Sequence, residues 1–267
     1  MNADFDRRFG GMRRLYGVPG AQAVFDAHVM VVGIGGVGSW AAEGLARSGV
    51  GRLTLVDMDH VAESNVNRQL HALTDTLGMA KIEAMRERIA QINPACVVKT
   101  VDDFVTEDNW SLLGARLLEH AGAVAVIDAC DQVRAKTAMA AWALSHGLNF
   151  VTVGAAGGKR KPQAIEVGDL AEVTHDPLLA QLRYRLRREH GAPRTRRMGV
   201  RCVFSRETVA PPDASCNLSP SDRSLNCHGY GSVVSVTASF GLCAAGNVLN
   251  AIAEGTSNKP MRAFEMT

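Results

Sequence analysis

The sequence predicts an α/β protein built on a doubly wound, mainly parallel sheet, with an α+β extension at its carboxyl end. Three observations carry that reading. Short apolar runs alternate with helix-like segments through residue 154, the first run stops in a glycine cluster, and the chain is long enough to bury such a sheet without cross-links. Its 267 residues are 46% apolar and 21% charged, with a formal net charge of +2. That composition excludes disordered, collagenous and fibrous classes. Cys96, Cys130, Cys202, Cys216, Cys227 and Cys243 form no CxxC pair, which argues against a thiolate zinc site or a dithiol motif and for reduced thiols in a cytoplasmic protein. The opening MNADFDRRFGGMRR has charges but no apolar run behind them, so no secretory signal is expected.

The elements follow in order. HVMVVG (28–33) is an apolar run that stops at glycine, and SWAAEGLARSG (39–49) has helical composition ending in Gly49. RLTLVD (52–57) is a second strand. GMAKIEAMRERIAQIN (78–93) sets Ile82, Met85, Ile89 and Ile92 on one helical face and is stopped by Asn93 and Pro94. VVKTVDDF (97–104) and AVAVID (123–128) are strands on either side of the helix-like DNWSLLGARLLEHA (108–121). QVRAKTAMAAWALSHG (132–147) is a further helix and NFVTVG (149–154) a further strand. Such alternation means βαβ units, whose ligands sit at the carboxyl ends of the strands.

Residues 1–154 thus form a nucleotide-binding core, and 155–267 an extension expected to pack on it as one unit. The extension opens with the basic glycine-rich GAAGGKRKPQ, continues with the Asp-Pro helix start of HDPLLAQLRYRLRREHG, and adds one strand, VRCVFS (200–205). Residues 206–231 read as a mobile loop, dense in Pro, Ser, Asn and Asp from 211 onward, of the kind that closes over a site. Residues 229–253 carry no charge and are long enough for a membrane span. Glycines, serines and asparagines dilute the run, which reads as a buried strand, SVVSVT, leading into a buried helix, so no stable membrane insertion is expected. Between Arg183 and Arg201 stand eight arginines and one acid, a local charge of +7 that leaves −5 on the rest of the chain. One arginine-dense segment on a mildly acidic body is the pattern of a surface that meets nucleic acid.

GIGGVGS (33–39) follows a strand and opens a helix. Backbone amides near Gly35, Gly36 and Gly38, with the helix N-terminus, can cradle an anion. Gly33, Gly35 and Gly38 also satisfy the Rossmann-like dinucleotide pattern, so this loop alone does not choose between ligands. Asp57, at the end of the next strand, suits a ribose hydroxyl in either case.

The stretch after Asp57 separates the cases. DMDHVAESNVNRQLHALTDTLGMAK resembles the signature of the ubiquitin-activating-like superfamily, which includes the adenylating enzymes of thiamine and molybdopterin synthesis. The pattern runs from the glycine loop through Asp57 and Asp59, Ser64 and Asn65, Arg68 and Gln69, and Lys81 to Asp128 and Asp131. The resemblance implies that Asp57 and Asp59 hold the ribose of ATP, that Asn65, Arg68 and Lys81 meet its phosphates, and that Asp131 carries Mg²⁺. Adenylation expels pyrophosphate, and cations must neutralise the attacking and leaving oxygens. Arg68 can make a fork to two phosphate oxygens, while Lys81 acts as a point charge. Arg68, Lys81 and Asp131 are therefore the candidate catalytic residues.

Two departures from the family pattern narrow the expectation. Gly11 stands where the family often has an N-terminal arginine that reaches the nucleotide of a dimer partner, leaving Arg8, Arg13 or Arg14 to substitute. The paired CxxC motifs of members that activate ubiquitin-like proteins are absent. RRFGGMRRLYG, SWAAE, NRQLHAL, INPAC, VDDFVT, GAAGG and RCVFS instead resemble the tRNA-modifying dehydratase branch over nearly the whole chain. That resemblance implies an ATP-dependent ring closure on the threonylcarbamoyl group of an adenosine beside the anticodon, a homodimer, contacts from the arginine segment to the anticodon arm, and a sulfur-relay protein as a further partner. The alternatives are an adenylyltransferase for a ubiquitin-like sulfur carrier and a nucleotide-binding scaffold without turnover. Cys227 with His228 would be the loop cysteine of persulfide or thioester chemistry, against the plainer reading of an incidental thiol.

Overall fold

The computed structural model describes residues 4–119, 122, 124–213 and 230–255. A single sheet of seven strands runs in the order β3-β2-β1-β4-β5-β7-β6. These are β1 (His28–Val32), β2 (Arg52–Val56), β3 (Val97–Val101), β4 (Val124–Asp128), β5 (Asn149–Val153), β6 (Ile165–Asp169) and β7 (Arg201–Ser205). Each neighbouring pair is parallel except β6 with β7, which is antiparallel. β1 is buried along its whole length, as expected for a central parallel strand covered on both faces. Strand order reverses at β1, so the crevice beyond Val32 is the switch point at which such sheets take ligands.

Helices α1 (Phe5–Phe25), α2 (Gly38–Arg47) and α3 (Lys81–Ile92) cover one face, and α4 (Glu107–Leu118), α5 (Val133–His146) and α6 (Pro177–Glu189) the other. Each face has its own core. Ile82, Met85 and Ile89 of α3 enter the first, while Leu179, Leu182 and Leu186 of α6 enter the second. Full burial of each such side chain stabilises by about 1.5–3 kcal/mol. α6 starts where Asp176 accepts the Leu179 amide at 3.0 Å ahead of Pro177, the cap and first-turn proline that its sequence announces.

Four differences from the sequence reading have physical causes. α1 lacks a continuous apolar stripe because it is two helices joined at Gly17, whose φ of +72° and ψ of 169° break the turn before Pro19. β6 is a short edge strand with Glu166 and Gly168 in it, too polar to read as a strand by itself. The strand read over 97–104 ends at Val101. SVVSVT is not a strand: the last helix, α7, runs from Val234 to Ala253 and includes most of that block. Its place in the sheet is taken, since β7 pairs with β5, and Val236, Phe240, Ala244, Val248 and Ile252 recur at helical spacing into the first core. α7 is long and apolar enough to cross a membrane by length and composition, with a mean hydropathy of 1.4, but half of it is buried among the other elements. Of the loop expected over 206–231, residues 214–229, with Cys216, Cys227 and His228, lie outside the described residues.

Candidate active site

The site is assembled where β1, β2 and β4 end. Gly33 turns the chain with φ of +85°, which glycine adopts without steric cost. A Cβ there would lie 2.9 Å from the Ala129 carbonyl, and one on Gly38 only 1.7 Å from the Gly33 carbonyl oxygen. These two glycines let the loop fold onto itself and against the end of β4. At Gly36 an added Cβ would meet Arg68 Cγ at 3.2 Å, whereas at Gly35 the nearest atom, Gln69 Nε2, is 3.9 Å away. The Gly35 face is therefore open to a ligand. Val37, the N-cap of α2, accepts nothing through its side chain; the Ser39 amide is taken by the Gly35 carbonyl at 3.1 Å, and the dipole at the helix N-terminus favours an anion there.

Asp57 follows β2 and ties the loop down. Its carboxylate accepts the Ile34 amide at 2.6 Å and the Asp59 amide at 2.8 Å. An ionised carboxylate has about four lone-pair sites, so sites remain for ribose hydroxyls. Burial pushes its pKa above the ordinary carboxylate value, with the Lys81 ammonium opposing that shift. Asp59 has a different occupation. Its Oδ2 accepts Lys81 Nζ at 2.6 Å, and its carbonyl accepts the Lys81 amide at 3.0 Å. Lys81 itself is buried, while the Asp59 side chain is 57% exposed. The lysine is thus no solvated helix end but a charge held at the mouth of the site by one exposed acid.

Arg68 is buried beside the loop, and its Nη1 donates to the Ser64 carbonyl at 2.8 Å and to Asn67 Oδ1 at 3.0 Å. Trp40 Nε1 donates to the Arg68 carbonyl, fixing the backbone beneath it. Asn65 is buried with Oδ1 accepting the Ala62 amide at 3.0 Å, which aims its amide nitrogen away as a donor. Gln69 Oε1 is buried without a partner among the described residues.

Asp128 and Asp131, read as one motif, do different things. Asp128 is fully buried, and its Oδ2 accepts Lys136 Nζ at 3.1 Å and Thr152 Oγ1 at 2.6 Å. Lys136 Nζ also donates to Thr152 Oγ1 and to the Val153 carbonyl at 2.9 Å. This knot joins the ends of β4 and β5 directly under the loop. Burial, and after it the Asp128 carboxylate, push the Cys130 thiol well above the ordinary thiol pKa, and Cys130 Sγ donates to Asp128 Oδ1 at 3.1 Å. Asp131 is exposed at the mouth, with Gln132 Nε2 3.4 Å from Oδ1. Magnesium is commonly held by one or two carboxylates plus substrate phosphates, and a free-standing carboxylate at this edge fits that habit.

Lys136 and His71 were missed in the sequence. Lys136 stands at the spacing of Met139, Ala140 and Ala143, the buried face of α5, so a cation on an apolar stripe was the available signal. His71 gives no such signal. It is 1% exposed, and neither ring nitrogen has a partner among the described residues. Burial lowers its pKa to about 4, and Lys81 and Arg88 add repulsion to its charged form. The unfolded chain takes up that proton near pH 6.5 and the folded chain near 4. Stability is therefore present above pH 6.5 and falls on acidification toward 4, by about 3 kcal/mol in all. Urea midpoints at pH 7 and pH 5 test this: His71→Gln should flatten the difference, and an unchanged difference would refute the assignment.

The arginine segment is less uniform than its composition suggests. Arg183 donates to the carbonyls of Leu170 and Val173, Arg185 pairs with Glu107 and Glu189, and Arg187 reaches the Pro193 and Arg194 carbonyls. Arg197 pairs with Glu172. Arg194, Arg196 and Arg201 are exposed. Arg201 pairs in register with Val151 at the amino end of β7, the edge opposite the glycine loop. Arg183 and Arg187 are thus spent on carbonyls and Arg185, Arg188 and Arg197 on carboxylates, while Arg201 lies at the edge away from the loop.

At the N-terminus, Arg8 Nη1 donates to the Gln91 and Ile92 carbonyls, capping α3, and Arg13 pairs with Asp6. Both are engaged within the chain.

The ThiF family model matches residues 9–265. The chain is 46% identical to the tRNA threonylcarbamoyladenosine dehydratase of Escherichia coli (strain K12), over 91% of this chain and 92% of that one. It is 39% identical to the enzyme of the same name from Haemophilus influenzae, over 92% and 94%. The crystal structure of E. coli tRNA N6-threonylcarbamoyladenosine dehydratase in complex with ATP superposes with a TM-score of 0.81 at 45% identity, covering 94% of this chain and 95% of that one.

Proposed function

The chain belongs to the ThiF family, and from that premise we propose that it is an ATP-dependent dehydratase acting on threonylcarbamoyladenosine beside the anticodon of tRNA. The end-to-end likeness to enzymes of that name carries the reading. The substrate carboxylate attacks the α-phosphorus of ATP, giving an acyl-adenylate and pyrophosphate. A nitrogen or oxygen of the same carbamoyl group then attacks the activated carbonyl, AMP leaves, and the net loss from the nucleoside is one water. The nucleophile is internal, so proximity supplies what an enzyme thiol would otherwise do.

Each role falls on residues already described. Gly33, Gly35, Gly36 and Gly38 shape the phosphate loop, and Asp57 and Asp59 take the ribose. Asn65, Arg68 and Lys81 meet the phosphates. Mg²⁺, held by Asp131 and the phosphates, would neutralise charge on the leaving pyrophosphate. Asp59 binding a ribose hydroxyl would free Lys81 from its ion pair to follow the phosphate charge. The enzyme acts as a cytoplasmic homodimer in this proposal, and with Arg8 and Arg13 engaged in their own chain, Arg14 is the residue assigned to the partner's nucleotide.

The exposed arginines Arg194 and Arg196 would bind tRNA phosphates some distance from the reacting nucleotide. Replacing both with alanine should weaken tRNA binding and lower the slope of log K against log salt by about 2. An unchanged slope would remove this segment from the interface.

The deciding experiment is nucleoside mass spectrometry on tRNA carrying linear threonylcarbamoyladenosine, incubated with protein, Mg²⁺ and ATP under mild conditions. A nucleoside lighter by one water, formed only with ATP and together with AMP, is the expected result. No such product from ATP-binding protein would overturn the proposal in favour of a sulfur-carrier adenylyltransferase. The test for that reading is pyrophosphate exchange stimulated by a protein ending in Gly-Gly.

A further inference from the structure

Beyond the carboxyl ends of β5 and β7 lies a cavity of about 230 Å³, with an apolar lining that includes Ala155, Gly157, Pro177, Val209, Pro211 and Tyr230. None of these residues belongs to the phosphate loop or to the ribose and cation set. The cavity is smaller than the roughly 300–1,000 Å³ of pockets for drug-sized ligands, a size that suits one heteroaromatic base.

Its walls come from three segments tied together at one glycine. Gly158 donates its amide to the Gly231 carbonyl at 3.0 Å, and its carbonyl accepts the Ala210 amide at 2.8 Å. With φ of +70° and a would-be Cβ 2.7 Å from Val209 Cγ1, no other residue fits there. Beneath this turn Lys159 is buried, its Nζ donating to the carbonyls of Ser205 and Glu207 at 3.0 Å each. On the remaining side, Asp176 Oδ2 accepts the Ala155 amide at 2.9 Å, fixing the start of α6 and with it Pro177. The pocket is held open by backbone and buried charge, and Tyr230 is the aromatic ring on its wall.

Sheet order sets its position relative to ATP. Asp57 follows β2, on one side of the switch point, while the pocket follows β5 and β7, on the other. A nucleotide whose ribose lies on Asp57 and whose phosphates lie on the glycine loop would leave this pocket to the other substrate. β5 is two strands from β1, a lateral distance of about 10 Å. In threonylcarbamoyladenosine the carboxylate stands about 5 Å from N6 in peptide-like geometry, and the half-width of the purine covers most of the remainder.

Resting on the function proposed above, we infer that this pocket receives the purine base of the modified nucleotide, unstacked from the anticodon arm and laid against the Tyr230 ring. Single-stranded RNA bases are commonly captured in this way, on aromatic side chains in apolar recesses. The attacking carboxylate then approaches the α-phosphorus in line with, and opposite to, the departing pyrophosphate.

Steady-state kinetics on the full-length protein test this, with tRNA carrying the linear nucleoside and ATP varied separately. Tyr230→Ala should raise KM for tRNA by about 10-fold and leave KM for ATP within twofold, while Tyr230→Phe should behave as wild type. Where the alanine variant does not fold, Tyr230→Leu, apolar but without a π face, carries the same test. An unchanged tRNA KM, or a rise in the ATP KM instead, would overturn the assignment. Failure of the wild-type protein to make the lighter nucleoside at all would strike the functional proposal, not the pocket alone.

Discussion

Lys81→Ala lowers turnover by about 10² or more and leaves the fold nearly as stable as before. The two halves of this expectation have separate causes. The Lys81 ammonium is buried at the mouth of the site, 2.6 Å from Asp59 Oδ2, but the acid is mostly exposed. Without the lysine, the exposed Asp59 is hydrated and Asp57 loses an opposing cation, so the unfolding free energy from urea titration should fall by about 1 kcal/mol, the upper end for a surface ion pair. The charge that develops on pyrophosphate, by contrast, loses a preplaced cation. Arg68→Ala should show a similar loss of turnover, since its side-chain stem packs on Gly36 and holds the guanidinium beside the loop. Pyrophosphate release under saturating ATP is the measurement. Near-normal rates in both variants would remove these residues from the chemistry.

Lys136→Met destabilises the protein by about 3–5 kcal/mol, the largest effect on folding expected from one substitution in the site's surroundings. The variant keeps the volume and removes the charge, which leaves the fully buried Asp128 carboxylate without its counter-ion. Thr152 Oγ1 and the Cys130 groups still donate to it, but neutral donors do not replace an ammonium in a dry interior. Lys136→Met combined with Asp128→Asn should recover much of the loss, because removing both charges removes the desolvation cost along with the attraction. Chemical denaturation of the single and double variants decides it. A single variant as stable as wild type would mean that the pair contributes nothing net. ATP affinity should fall with stability in the single variant, since Ala129, one residue on, packs against Gly33.

The legibility of this protein follows from the range of the forces involved. β1, β2, α3 and α5 were readable because the apolar period and the stop signal both lie within the segment: Ile82, Met85 and Ile89 followed by Asn93 and Pro94 need no partner to announce a helix. α7 was half misread because Val233, Val234 and Val236 favour strand by local preference, and packing of Val236, Phe240 and Ala244 into the first core overrides it. β6 was invisible because an edge strand with Glu166 and Gly168 is defined by pairing with β7, which lies more than 30 residues away. Within the site, the glycine loop, Asp57, Asn65, Arg68, Lys81 and Asp131 could all be named from one contiguous pattern and the family it resembles. What the pattern did not contain was who binds whom.

The sequence by itself determined the sheet-and-helix alternation, the place of the nucleotide loop at the end of β1, and the identity of the charged groups around it. These depend on local periodicity, on glycine where a side chain cannot go, and on residue types in a fixed order. Only the tertiary structure decided that Asp59 holds Lys81, that Lys136 rather than a solvent-facing group neutralises Asp128, that five arginines of the basic segment bind carbonyls and carboxylates of the same chain, and that Tyr230 lines a cavity with Ala155 and Val209. Each of these joins residues far apart in the chain, and the energy of a charge or a ring depends on what surrounds it once it leaves water.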